Sequence, residues 1–213
     1  MGYKVNKIYV WNNQVRPAIA PSNLIIFPDT TTSALTDAWR TVNWGIYIDS
    51  TNWLYNTGSG RQWISLPITY DASNVVTLRA VFMTGNVWSW TWTVFMGLVP
   101  NAFTYWNNGA DAVYYGLMVS QNYNFGWCDF NHYTVSLTVP WAANTWYEGT
   151  LTIDLPNATM STVVTEYWSS TPIATFPDRT ISNVANTVSQ LWSIWIATEK
   201  NYVYVKEFER SIS

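Results

Sequence analysis

The residues able to do acid–base work in this sequence are few. Glu207-Phe208-Glu209 sets two acids one residue apart near the C-terminus. On a strand that spacing puts both carboxylates on one face, where one can serve as nucleophile or base while the other carries a proton. Lys206 and Arg210 flank the pair, so the sequence favours a solvated charged face over a catalytic one. Glu148 and Asp154 can also share a face across Gly149, but no third acid accompanies them. His132 is the only histidine, and a Ser-His-Asp triad would have to use it. It clusters with Asp129 and Asn131. A calcium site wants several carboxylates, and a turn in which Asp129 and Asn131 bond their own backbone is the plainer reading. Cys-x-x-Cys, glycine-rich phosphate loops and His-Glu-x-x-His are absent. The expectation is no catalytic residue, no metal site and no cofactor.

Aromatic residues give the stronger signal. Phe103-Thr104-Tyr105-Trp106-Asn107-Asn108-Gly109-Ala110-Asp111 and Gln121-Asn122-Tyr123-Asn124-Phe125-Gly126-Trp127 read as loops that mix rings with amides. Flat rings stack on the apolar faces of pyranose sugars while Asn, Asp and Gln bond the hydroxyls. Tyr105, Trp106, Asn107, Asn108, Asp111, Tyr123, Asn124 and Trp127 are therefore the candidate carbohydrate- or partner-binding residues. The same residue types also suit a protein interface or intrachain packing.

The elements that would position these residues are strands. Period two dominates, most clearly in Val87-Trp88-Ser89-Trp90-Thr91-Trp92-Thr93-Val94-Phe95, which aligns Trp88, Trp90 and Trp92 on one face. Core packing suits that row, because adjacent exposed indoles invite aggregation. Further β-rich runs are 44–48, 74–83, 112–120, 133–139, 150–155, 161–168, 191–197 and 202–209. Turn signals fall at 57–60, 99–101, 107–109 and 155–157. Helix evidence is thin. Thr32–Val42 suits a short helix, and Ile181, Val184, Ala185, Val188 and Leu191 keep helical spacing after a possible cap at Asp178. Poor helix formers such as Asn183, Asn186 and Thr187 weigh against the second. The uncharged stretch from Ala80 to Ala110 alternates polar and apolar residues, which suits a strand with one wet face better than a membrane span.

Composition narrows the class. The chain has 213 residues, 17% of them aromatic and 11% charged, against about 25% charged in an average soluble domain. Disorder and coiled coils are excluded. A net charge of −3 argues against nucleic acid as the main ligand. Cys128 is the single cysteine, so no internal disulfide is available. The N-terminus lacks the apolar run of a signal peptide, and Asn6 stands where myristoylation wants Ser or Thr.

The first twenty residues differ from the rest. Lys4-Val5-Asn6-Lys7-Ile8-Tyr9-Val10-Trp11 alternates like a strand, and Arg16, Pro17 and Pro21 mark a turn and linker. An anchoring arm over residues 1–20 fits this pattern, with Lys4, Lys7, Tyr9, Trp11 and Arg16 as docking residues, before a sandwich domain over 21–213. An ordinary edge strand is the alternative.

Two resemblances follow. Asn144-Thr145-Trp146-Tyr147-Glu148-Gly149-Thr150-Leu151-Thr152-Ile153-Asp154-Leu155 resembles a strand pair of concanavalin A-like lectin/glucanase and laminin-G-type sandwiches, with Tyr202–Ile212 as the closing strand. That resemblance spans roughly residues 70–213 and implies two curved antiparallel sheets. Glycosidases of that fold carry a Glu-x-Asp-x-x-Glu strand, which is missing here. Legume lectins of that fold use Asp/Asn/His sets as metal ligands, but their full spacing is not reproduced around Asp129, Asn131 and His132. Lys4–Val10 with Asn13-Gln14-Val15-Arg16-Pro17 resembles the N-terminal segment of phage virion proteins of the head- or tail-fibre and capsid-decorating type. It implies attachment to a particle with the C-terminal domain facing outward.

The sequence thus predicts an all-β, two-sheet antiparallel jelly-roll sandwich with a short N-terminal arm. The leading functional expectation is a non-enzymatic phage virion protein, made in the host cytoplasm and displayed on the virion surface. Its expected partners are other virion proteins, further copies of itself in a homo-oligomer and a host surface glycan. Neither nucleic acid nor membrane insertion is expected. A free carbohydrate-binding module is the alternative, and a glycoside hydrolase the third.

Overall fold

A computed structural model describes residues 24–26, 41–42, 46–49, 53–56, 61–85, 92–100, 115–120, 124–128, 139–199 and 203–213. Their strands are β1 (Leu24–Ile26), β2 (Thr41–Val42), β3 (Ile46–Asp49), β4 (Trp53–Asn56), β5 (Arg61–Pro67), β6 (Val75–Thr84), β7 (Trp92–Pro100) and β8 (Tyr115–Ser120). β9 (Asn124–Cys128), β10 (Val139–Pro140), β11 (Thr145–Asp154), β12 (Thr159–Glu166) and β13 (Pro172–Thr180) follow. A helix, α1 (Val184–Gln190), leads into β14 (Leu191–Glu199), and β15 (Val203–Ile212) closes the chain.

The strands form two antiparallel sheets. One is eight-stranded in the order β13-β12-β11-β6-β15-β4-β3, with β1 also paired to β15. The other is seven-stranded in the order β10-β9-β8-β7-β14-β5-β2. This is the predicted all-β sandwich. Alternation explains its core: Val76, Leu78, Ala80 and Phe82 of β6 and Tyr147, Leu151 and Ile153 of β11 point inward and are buried. From the other sheet, Met96, Leu98, Leu117, Phe125, Ile194 and Ile196 meet them. Phe125 packs edge-on to Tyr147 at 5.0 Å and to Phe82 at 6.2 Å, so an aromatic trio bridges the sheets. Gly149 lets β11 approach: a Cβ there would run into the Leu117 side chain of the facing sheet.

Several expectations change. Asn124 and Trp127 sit on strand β9 rather than in a loop. Phe125 between them is fully buried, since Phe82 and Tyr147 pack on its ring and its pairing with Val119 of β8 holds it in the core. The tract Thr32–Val42 ends as strand: Thr41–Val42 pairs with β5, and residues 32–40 lie outside the described residues. The helix near 181–191 forms, but over Val184–Gln190, with Asn183 rather than Asp178 as its cap. Asn183 accepts the Asn186 N–H at 2.9 Å, and Asp178 belongs to β13. Pro100, within the turn signal at 99–101, is the last residue of β7 and pairs with Leu191, and residue 101 lies outside the described residues. Of the tryptophan row, only Trp92 falls within the described residues, at the start of β7. Among the described residues no helix is long and apolar enough to cross a membrane.

Candidate functional site

Acids that are remote in sequence meet on the outward face of the eight-stranded sheet. β6 lies between β11 and β15. Its Arg79 stands opposite Thr150 on one side and Glu209 on the other; its Val81 stands opposite Glu148 and Glu207. The Arg79 guanidinium donates to Glu148 Oε2 at 2.6 Å and to Glu207 Oε2 at 3.3 Å, and lies 3.6 Å from Glu209 Oε2. These side chains are mostly buried, from 8% exposed at Glu209 to 22% at Glu148. Burial alone would lower the Arg79 pKa. The hydrogen bond and charge of Glu148, then the charges of Glu207 and Glu209, outweigh it and push the pKa above its ordinary value.

A one-residue bulge makes this layer possible. The β15 register steps from Val205 opposite Phe82 to Glu207 opposite Val81, leaving Lys206 as the extra residue. Without that step, period two would turn Glu207 and Glu209 into the core and Phe208 outward. The expected solvated face at Glu207 and Glu209 is therefore corrected: the two acids do share a face, but Arg79 draws them into a buried ion-pair ladder. Glu148 joins them, whereas Asp154 folds back on its own turn, accepting from Asn157 N at 3.0 Å and Asn157 Nδ2 at 2.8 Å.

The ladder extends toward the β12–β13 connection. The Tyr167 hydroxyl donates to Glu207 Oε1 at 3.1 Å, and Lys206 Nζ sits 5.0 Å from the Tyr167 ring centroid. Trp168 packs on Tyr167 with ring centroids 4.2 Å apart. Chemically, a guanidinium among three carboxylates is a staple. Its donors hold one oxygen each of Glu148 and Glu207, with Glu209 in ion-pair range. Among the described residues no group of three or more His, Cys, Asp or Glu is arranged to hold a metal ion.

A second polar cluster ties α1 to the sandwich. The Tyr70 hydroxyl donates to Leu191 O at 2.7 Å and lies 3.2 Å from Thr187 O. Thr187 Oγ1 donates to Asn183 O at 3.0 Å and lies 3.3 Å from the Tyr115 hydroxyl. Burial, then the nearby Tyr115, pushes the Tyr70 pKa well above the usual tyrosine value.

Most sequence-derived candidates lie outside the described residues: Tyr105, Trp106, Asn107, Asn108, Asp111 and Tyr123, the cluster Asp129, Asn131 and His132, and the arm residues Lys4, Lys7, Tyr9, Trp11 and Arg16. The described strands still fix where those segments attach. β7, β8, β9 and β10 are successive antiparallel neighbours. Residues 101–114 and 129–138 therefore join strand ends at one end of the seven-stranded sheet, and residues 121–123 join strand ends at the other. The residues that sequence reasoning missed are Arg79, Tyr167 and Trp168. Arg79 had a signal, as the lone charge on a strand that opens the long uncharged stretch.

No protein-family profile matches the chain, and no curated protein matches it. Solved structures do. Arcelin-5, a lectin-like defense protein from Phaseolus vulgaris, superposes with a TM-score of 0.63 at 12% identity, covering 89% of this chain and 97% of its own. Winged bean acidic lectin complexed with methyl-α-D-galactose gives 0.63 at 13% identity, covering 89% and 98%. A Trypanosoma rangeli sialidase gives 0.57 at 16% identity, covering 78% of this chain but only 26% of its own. The chain has the lectin-type jelly-roll fold.

Proposed function

We propose that this chain is a non-catalytic carbohydrate-binding domain of the lectin type. The observation that carries the reading is fold likeness over nearly the whole length of two legume proteins, one lectin-like and one solved with a galactoside. Their low identity makes this a likeness of fold, so the sugar contacts must be argued from this chain's own residues. Tyr105, Trp106, Asn107, Asn108 and Asp111 supply rings and amides in the segment that joins β7 to β8. The buried carboxylates bound to Arg79 favour binding over hydrolysis. A glycan array tests the reading: wild type should bind a defined set of glycans and Trp106→Ala should lose them, while absence of binding by wild type overturns it.

Carbohydrate binding has more support than a purely structural virion role. The sequence of residues 1–20 still carries the proposal that the domain is displayed on a virion as a homo-oligomer through that arm. Deleting residues 2–17 should abolish incorporation into particles while the sandwich stays folded; unchanged incorporation removes the arm.

A further inference from the structure

Trp168 stands apart from the other large apolar side chains of the described residues. It is 63% exposed, and among the described residues Ile212, at 39%, is the other exposed large apolar side chain. It occupies the connection between β12 and β13, where Ser169 N donates to Glu166 O at 2.9 Å and Thr171 N donates to Ser169 Oγ at 3.0 Å. Its support is unusually well fixed. Tyr167 packs against one side of the indole, the Tyr167 hydroxyl is tied to Glu207, and Glu207 is tied to Arg79. An exposed ring held in place by packing and hydrogen bonds loses little freedom when a ligand lands on it.

We propose that the free face of Trp168 is a carbohydrate-stacking subsite, separate from the segments at the ends of the seven-stranded sheet. The inference rests on the carbohydrate-binding reading and names a second place on the same domain. The size and surroundings of the platform decide its occupant. A stable protein interface needs about 800 Å² from each partner and an apolar centre. Here a single exposed indole has exposed Glu166, Ser169, Ser170 and Thr171 as its near neighbours along the chain. One flat ring with hydroxyl- and carboxylate-bearing residues next to it in the chain matches one pyranose: C–H bonds against the ring, hydroxyls toward those polar residues. Galactose fits best, because its axial 4-hydroxyl leaves a continuous C–H face.

The test uses the full chain labelled with nitrogen-15, titrated with methyl β-D-galactoside while the indole N–H signals are followed. Loss of one signal in Trp168→Phe assigns it. The expected result is a saturable shift of that signal. Affinity, read in these variants from the backbone amide signals of residues 169–171, should fall about tenfold in Trp168→Ala and be largely kept in Trp168→Phe. If other indoles shift while the Trp168 signal stays still, the subsite is overturned and the carbohydrate-binding reading survives. If no indole shifts here and wild type is also silent on the glycan array, both fall.

Discussion

Among the described residues, the polar clusters at Arg79 and at α1 are both buried, and they are built from opposite materials. The ladder on the outward face of the eight-stranded sheet is ionic: Arg79 with Glu148, Glu207 and Glu209. The latch at α1 is neutral: Tyr70 and Tyr115 hydroxyls against Thr187 and the carbonyl of Leu191. The ladder joins three neighbouring strands of one sheet, whereas the latch holds the crossing from β13 in one sheet to β14 in the other. Buried charge is costly unless every partner is present, while a neutral hydroxyl network loses roughly one hydrogen bond at a time. The ladder should therefore fail abruptly and the latch gradually.

The sharpest break is Arg79→Leu. It leaves three carboxylates close together without their cation, and stability should fall by about 3–5 kcal/mol, read as the denaturant midpoint at unchanged slope. Adding Glu148→Gln, Glu207→Gln and Glu209→Gln to that variant should recover most of the loss, since the uncompensated charge is gone. A single Arg79→Leu variant as stable as wild type would show that the ladder is not the stress point.

The latch predicts a smaller effect with a pH signature. Tyr70→Phe should cost about 1–2 kcal/mol by leaving a helix-end carbonyl without its donor. The Tyr70 pKa is raised by folding, so its contribution is complete below the unfolded tyrosine value of about 10 and is lost as pH rises above it. The gap between wild type and Tyr70→Phe should therefore narrow above about pH 10, by up to about 1.4 kcal/mol per pH unit. A gap constant from pH 8 to 11 would contradict the assignment.

The sheets were legible in the sequence where alternation is local. Val75–Thr84 and Thr159–Glu166 fall almost where period two places them. The ladder was not legible, because its members come from β6, β11 and β15 and only strand order reveals that β6 lies between the other two. Glu207 and Glu209 were rightly placed on one face, but their burial depends on Arg79, which is 128 residues from Glu207. The β15 bulge at Lys206 is equally silent in sequence, although it sets the direction of every later side chain on that strand. β9 was misread for a related reason. Asn124 and Gly126 carry turn propensity, and pairing with β8 and β10 overrides it.

The smallest predicted effect joins the ladder to the surface. Tyr167→Phe keeps the ring against Trp168 and beneath Lys206, but removes the hydrogen bond to Glu207 Oε1. Glu207 keeps Arg79, so no charge is stranded. The cost should be only about 0.5–1.5 kcal/mol, well below that of Arg79→Leu. The informative readout is local. If the ladder holds Tyr167 still, its loss should loosen Trp168, and the assigned Trp168 indole signal should broaden or move in Tyr167→Phe while the core tryptophan Trp141 stays unchanged. A Trp168 signal indifferent to Tyr167→Phe would mean that ring packing alone positions the indole, and the ladder would then be a device of stability with no part in presenting the exposed face.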